Sequence, residues 1–151
     1  MIVYLGCYTD EANPNGLKAL ELDQATGVMS ICAESPVSNA IYQGLSLDGN
    51  YLYSCTGEGL VSFKVNGQAD SQHILEQVDS VKLGNCVCHV AVMPDGNQVV
   101  FADYLGGFAG SIEVEDGRKS RRRERGVALG YENHIRGTRK TLHKCSYTNA
   151  A

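Results

Sequence analysis

The chain repeats itself with a period in the forties. LSLDGNYLY at 45–53 returns as VMPDGNQVVF at 92–101, and the two Asp-Gly pairs, which begin at Asp48 and Asp95, are 47 residues apart. Glycine accepts the positive φ of a tight turn, so an Asp-Gly pair between apolar segments predicts a β-hairpin. Repeats of this length built from short strands and turns are typical of β-propeller blades.

A second repeated element starts with glycine and continues as an alternation of apolar and polar residues. It occupies residues 16–23, 59–66 and 110–116. In its third copy Ile112 and Val114 alternate with acidic residues, and a period of two indicates a strand with one face in water. No convincing amphipathic helix precedes residue 117, so the sequence predicts an all-β fold.

The predicted strands group into about two and a half four-stranded blades. The first blade lacks its innermost strand and has strands at 2–8, 17–23 and 28–34. The second is complete, with strands at 43–47, 51–55, 60–65 and 73–78. The third begins with strands at 89–93, 99–104 and 111–115 and then stops. The predicted fold class is an all-β propeller fragment over residues 1–117, followed by an irregular basic C-terminal tail over 118–151.

The charge of the chain changes abruptly at residue 118. Ten of the 13 Lys and Arg residues lie in 118–151, together with only two of the 17 acidic residues. The first 117 residues contain three lysines and no arginine, and their net charge is −12. This change of composition is the reason for dividing the chain at Gly117–Arg118.

Three interpretations of the 118–151 segment stay open. The first is a segment never selected as protein, as a frameshift inside a repeat would produce. The second is a solvated, charged tail. The third is a nucleic-acid arm, which is disfavoured because the acidic body repels a polyanion and no aromatic residues interleave with the arginines. No nucleic-acid partner is therefore predicted.

The N-terminal sequence and the hydropathy of the chain indicate where in the cell the protein is expected. MIVYLGCYTDEANP at 1–14 has neither a basic region nor a long apolar core, so no secretory signal is expected. No apolar run approaches the roughly 18 residues of a membrane-spanning helix. We expect a cytoplasmic protein with no membrane partner, whose six cysteines stay reduced.

Several motifs, in order and at matching spacing, resemble one known family. They are VYLGCYTD at 3–10, GLKALELD at 16–23, ATG at 25–27, LSLDGNYLY at 45–53, CHVAVMPDG at 88–96 and ADYLGG at 102–107. Over residues 2–117 the chain resembles the seven-bladed β-propeller lactonases, which include propeller-type 6-phosphogluconolactonases and carboxymuconate-cyclase-like proteins. The resemblance implies a hydrolase whose small-molecule partner is a sugar lactone, 6-phosphogluconolactone of the pentose phosphate pathway being the first choice.

The resemblance also implies what an active member needs in addition. The family's later Arg-bearing and Pro-His-x-His-like segment has no counterpart here, so the chain is expected to be truncated and catalytically incomplete. The alternative is a non-catalytic propeller fragment that acts as a binding or self-assembly module, associating through exposed blade edges.

His89 and Tyr104 are the candidate catalytic residues. His89 begins the innermost predicted strand of the third blade, where an imidazole could activate water against a lactone carbonyl. Tyr104 follows the next strand and could donate to a carbonyl or a phosphate. For each residue a structural role, as a hydrogen-bonded histidine or a turn tyrosine, is the alternative.

The DYLGG loop supplies the candidate substrate-binding residues. Asp103 is a candidate acid or orienting group. Gly106 and Gly107 would let the main chain approach a ligand, although they also suit a simple turn between strands.

Metal and phosphate ligands are scarce in the first 117 residues. Cys86 and Cys88 beside His89 are zinc-ligand types, but a structural zinc site needs four ligands and no second cluster exists. No metal and no cofactor are therefore predicted. Arginine is the preferred bidentate phosphate ligand, and this part of the chain offers lysines alone.

Overall fold

The computed structural model of the chain describes residues 1–65, 75–83, 86–115, 117–127 and 146–147. These residues form antiparallel strands in three sheets. The all-β prediction is therefore confirmed for the described part. Since those residues contain no helix, none of them forms a helical membrane span.

Sheet 1 has three strands in the order β1-β2-β3. They are β1 (Ile2–Gly6), β2 (Leu17–Leu22) and β3 (Met29–Ser35). In the repeat, β2 corresponds to the third strand of the other two sheets, so sheet 1 lacks the equivalent of their first strand, as predicted.

Sheet 2 is a complete four-stranded sheet in the order β4-β5-β6-β7. Its strands are β4 (Tyr42–Leu45), β5 (Tyr51–Cys55), β6 (Gly59–Val65) and β7 (Leu75–Lys82). The fourth strand runs further than the predicted 73–78, and residues 73 and 74 lie outside the described part.

Sheet 3 has five strands in the order β12-β11-β10-β9-β8. They are β8 (Val87–Val92), β9 (Gln98–Asp103), β10 (Phe108–Glu115), β11 (Arg118–Val127) and β12 (Ser146–Tyr147). Strand β11 pairs with β10 along most of its length. The change of composition at Gly117–Arg118 thus falls at a turn inside sheet 3, and an irregular tail does not begin at Arg118.

The Asp-Gly hairpins form where the repeat predicts them. Gly49 and Gly96 both adopt positive φ, at 75° and 73°. The Asp48 carboxylate accepts hydrogen bonds from the Ser46 hydroxyl (2.5 Å) and from the Asn50 main chain (3.1 Å). These bonds lower the pKa of Asp48, because they favour the ionised carboxylate.

Two apolar cores hold the three sheets together. The core between sheets 1 and 2 is centred on Phe63 and Leu17, both fully buried. The core between sheets 2 and 3 contains Cys55, Val90 and Phe101. Each sheet therefore packs face to face on the next, as propeller blades do.

The strand directions give the stack of sheets two distinct ends. At one end, which we call the crossover end, the chain passes from sheet 1 to sheet 2 at 36–41 and leaves sheet 2 at Leu83. The loops at 7–16 and 104–107 lie at the same end. The Asp-Gly turns lie at the opposite end, the hairpin end. Strands β4 and β8 contact each other, and the side chain of Val90 approaches Gly44.

Candidate functional site

The crossover end brings together all five residues predicted from the sequence. His89 lies on β8, Asp103 ends β9, and Tyr104, Gly106 and Gly107 occupy the loop that follows. The His89 and Tyr104 side chains are exposed, Tyr104 to 76%. Both are therefore accessible to a ligand at this end of the sheets.

A β-bulge precedes His89. The register between β8 and β9 shifts between Val87, which lies opposite Asp103, and His89, which lies opposite Ala102. The extra residue is Cys88, whose thiol contacts the Ala102 carbonyl oxygen at 3.6 Å. Bulges redirect side chains and are enriched beside active sites. The local register, which the sequence pattern did not predict, is thus part of what places His89.

Tyr42 joins the candidate site although the sequence reasoning missed it. The centroid of its ring lies 4.4 Å from that of His89, with an interplanar angle of 33°. Tyr42 precedes His89 by 47 residues, which is the spacing of the two Asp-Gly turns. The repeat could have indicated this contact, because Tyr42 and His89 occupy the same position in the first strands of two successive copies.

The Asp103 carboxylate orders the loop that holds Tyr104. It is buried, with 3% exposure; Oδ2 accepts a hydrogen bond from the Cys86 main chain at 3.0 Å, and Oδ1 accepts one from the Gly106 main chain. The Tyr104 main-chain N–H also binds this segment, donating to the Cys86 carbonyl at 2.8 Å. These contacts suit the orienting role; contact with a substrate stays a prediction.

The two loop glycines have geometric reasons to be glycine. A Cβ atom at Gly106 would lie 2.7 Å from Asp103 Oδ1, and Gly107 has a φ of 64°. Substitution at either position would therefore disturb the turn. These features favour the turn-forming alternative for both residues, and substrate binding by them remains a prediction.

Cys55 is a poor candidate nucleophile, and the described residues contain no clustered metal ligands. Burial, and to a lesser degree the neighbouring Cys88, raises the pKa of the Cys55 thiol to about 12, so Cys55 stays protonated at neutral pH. No group of three or more His, Cys, Asp or Glu side chains in the described part is arranged to hold a metal ion.

The three lysines of the first 117 residues do not converge on one place where they could bind a phosphate together. Lys18 pairs with Glu34 at 2.5 Å, and Lys82 pairs with Glu58 at 3.0 Å. Lys64 lines an open cleft at the hairpin end together with Arg118 and other residues. These three lysines thus sit at three separate places in the fold.

Several solved structures superpose on the sheets of this chain. The periplasmic gluconolactonase of Pseudomonas aeruginosa superposes with a TM-score of 0.69 at 20% identity, over 79% of this chain and 36% of that one. Putative 6-phosphogluconolactonases from Bacteroides fragilis and Bacteroides uniformis give TM-scores of 0.67 at 19% and 23% identity. They cover 83% and 77% of this chain, and 40% and 34% of their own. No curated protein matches the sequence.

The chain spans between a third and two-fifths of the length of these structures. A family model described as lactonase, 7-bladed β-propeller, matches residues 2–146. That match continues beyond residue 117, where the resemblance read from the motifs had ended, and it includes all of β11. Sheet order, repeat and family match agree, and the chain belongs to the seven-bladed β-propeller lactonase family.

Proposed function

We propose that this chain carries part of the active site of a lactonase-like hydrolase that opens a sugar lactone. The observation that supports it is the exposed His89 imidazole, on the first strand of sheet 3 at the crossover end, with its ring against Tyr42. Polar groups at one end of stacked sheets are where a small-molecule site is expected in such a fold.

The chemistry needs a base and a donor. In the proposed reaction His89 takes a proton from water while the water oxygen bonds to the lactone carbonyl carbon. The Tyr104 hydroxyl donates to the carbonyl oxygen as negative charge develops there. Collapse of the tetrahedral intermediate breaks the bond to the ring oxygen, which receives the proton from His89 and becomes the hydroxyl of the open acid.

We propose a six-carbon sugar lactone as the substrate, with 6-phosphogluconolactone and the pentose phosphate pathway as the first assignment. Two of the solved relatives are named as putative 6-phosphogluconolactonases and one as a gluconolactonase. The separated lysines supply no ready phosphate clamp in the described part, so the phosphorylated and unphosphorylated lactones must be compared directly. The cytoplasmic location also remains a proposal.

The test is lactone hydrolysis above the spontaneous rate, followed by acid release at constant pH. Wild type, His89→Gln and Tyr104→Phe are compared on gluconolactone and on its 6-phosphate. Tyr8→Phe is the matched control, because Tyr8 is as exposed as Tyr104, at 75%, and also lies at the crossover end. Loss of activity in His89→Gln with retention in Tyr8→Phe supports the proposal. Equal activity of wild type and His89→Gln, both above the spontaneous rate, overturns it. If the chain binds gluconolactone without opening it, unchanged binding in His89→Gln overturns it as well.

A non-catalytic binding or self-assembly module is the second candidate function. The observation that favours it is the apolar surface of sheet 1, where Met29 and Ile31 are 56% and 55% exposed. Large exposed apolar side chains that lie close together mark interaction surfaces. A folded wild-type chain that neither binds nor hydrolyses gluconolactone would favour this candidate.

A further inference from the structure

A cleft opens at the hairpin end of sheets 2 and 3, the end opposite the candidate site. Its volume is about 310 Å³, near the lower limit of small-molecule sites, which span roughly 300–1,000 Å³. The side chains that line it come from both sheets and are those of Tyr51, Lys64, Glu76, Val78 and Arg118. Since three of the five are charged, the cleft has the composition of a site for a charged ligand.

The strand register of sheet 2 builds one wall of the cleft. Tyr51 on β5 lies opposite Lys64 on β6, and Lys64 lies opposite Glu76 on β7. Residues directly opposite each other on antiparallel strands share a face, so the three side chains form a row across the sheet. Tyr51 also packs against the core between sheets 2 and 3. The row therefore lies on the face of sheet 2 that is turned towards sheet 3.

A β-bulge in β7 adds an apolar part to the same wall. Ser62 lies opposite Asp79 and Phe63 lies opposite Gln77, which leaves Val78 as the extra residue of β7. Bulges redirect side chains, and the Val78 side chain lines the cleft together with that of Glu76. Sheet 2 thus offers an apolar surface for carbon atoms next to its charged groups.

Sheet 3 contributes Arg118, the first residue of β11. The turn before it lies close to sheet 2, because Gly117 is buried and a Cβ atom there would lie 2.0 Å from the Tyr51 ring. Tyr51 belongs to the row with Lys64 as well. The packing of Gly117 on Tyr51 therefore brings an arginine of one sheet to the same cleft as a lysine of the other.

The charges of Lys64 and Arg118 suit a phosphate group. Lys18 and Lys82 form ion pairs with glutamates, whereas neither Lys64 nor Arg118 forms an ion pair with another described residue. A phosphate monoester carries about 1.5–2 negative charges at neutral pH, which two cations match better than they match the single charge of a carboxylate. Arginine binds phosphate oxygens through two parallel N–H groups, and lysine binds them as a point charge.

We propose that this cleft, which we call the Lys64 cleft, binds a small phosphate ester that also carries hydroxyl groups. The phosphate lies between Lys64 and Arg118, and the carbon skeleton packs on Val78. The ionised Glu76 carboxylate can only accept hydrogen bonds, so it takes one from a hydroxyl of the ligand. The Lys64 cleft lies at the opposite end of the sheets from His89, so this inference goes beyond lactone hydrolysis and does not depend on it.

The test is a titration of the folded chain with glycerol 3-phosphate, followed through the main-chain amide resonances by NMR. The amides of Lys64, Glu76 and Arg118 are expected to shift and to saturate. Lys64→Gln and Arg118→Gln each weaken binding by roughly tenfold or more, because each removes a charge-assisted hydrogen bond. Inorganic phosphate and glycerol are the comparison probes, and each binds more weakly than the ester because it makes only part of the contacts.

The matched controls are Lys82→Gln and Arg125→Gln, which make the same change of charge away from the cleft. Lys82 ends β7 at the crossover end, and Arg125 lies further along β11, opposite Ser111. Both controls, and His89→Gln, are expected to bind like wild type, and the dispersion of the amide resonances checks that each variant is folded.

Four results would overturn the proposal. The first is a wild type without saturable shifts. The second is an equal loss in all four cation variants, because binding then follows net charge alone. The third is inorganic phosphate that binds as tightly as the ester, since the cleft then holds only an ion. The fourth is loss of binding in His89→Gln, which would place the ester at the candidate site.

Discussion

Tyr42 and His89 hold the same position in two successive repeats, and their rings lie 4.4 Å apart between centroids. The contact joins the first strands of sheets 2 and 3 at the crossover end. The orientation of the candidate base is therefore determined by how one sheet stacks on the next, in addition to the bulge at Cys88 within its own strand.

Tyr42→Leu is expected to lower kcat/KM for lactone hydrolysis, whereas Tyr42→Phe is expected to preserve it. The ring contact contributes about 0.5–1.5 kcal/mol, which corresponds to roughly a two- to tenfold effect. Phenylalanine keeps the ring and leucine removes it. Steady-state kinetics of both variants, with Tyr8→Leu as the control, measure the difference. Equal losses in the two Tyr42 variants would show that the hydroxyl matters and the ring contact does not.

Asp103→Ala is expected to destabilise the fold by about 1–3 kcal/mol, the cost of leaving buried main-chain donors unsatisfied. The donors are the N–H groups of Cys86 and Gly106. Urea unfolding measures the loss. Asp95→Ala is the matched control, because the Asp95 carboxylate also accepts a main-chain hydrogen bond, but in an exposed turn. A loss no greater than that of Asp95→Ala would contradict the role assigned to Asp103.

Gly117→Ala is expected to cost more stability than Gly49→Ala. Both glycines have positive φ, at 73° and 75°, so alanine is strained at either by about 1 kcal/mol. At Gly49 the added methyl meets nothing within 4 Å, but at Gly117 it would lie 2.0 Å from the Tyr51 ring. Overpacking adds about 1–3 kcal/mol. Equal thermal unfolding of the two variants would mean that the turn from β10 into β11 does not pack on Tyr51.

Cys55 is expected to resist alkylation over a wide pH range. Its thiol pKa is raised to about 12 from an ordinary value of 9.0, since burial disfavours the thiolate. Mass-spectrometric mapping of iodoacetamide adducts at pH 8 should find Cys55 unmodified in the folded chain and modified in urea. The free energy of unfolding should also fall as the pH rises from 9.0 towards 12, because the unfolded chain loses this proton first. Fast labelling of Cys55 in the folded chain would contradict its burial.

Much of the fold could be predicted from the repeat. The Asp-Gly pairs at Asp48 and Asp95 predict two hairpins. The alternation of apolar and polar residues after Gly59 and Gly110 predicts the strands that follow. The absence of a first strand in sheet 1 followed from aligning its second repeated element with the others. These features are local, so a single sequence displays them.

The features that sequence reasoning missed depend on register or on charge. The bulge at Cys88 changes pairing by one residue and leaves no mark in the hydrophobic pattern. Strand β11 was missed because its arginines indicate a solvated segment by composition, whereas in the structure its main chain pairs with β10. The burial of Asp103 depends on main-chain donors at Cys86 and Gly106, and a pattern of side chains does not show where those donors point.

The separation of the two ends has a practical consequence for labelling this molecule. The turn at Asp95–Gly96 is exposed and lies at the far end of strand β8 from its bulge. A fluorophore or a short epitope inserted there would extend into solvent from the side opposite His89. The molecule could thus be immobilised or tracked while the surface that would meet a lactone stays unobstructed.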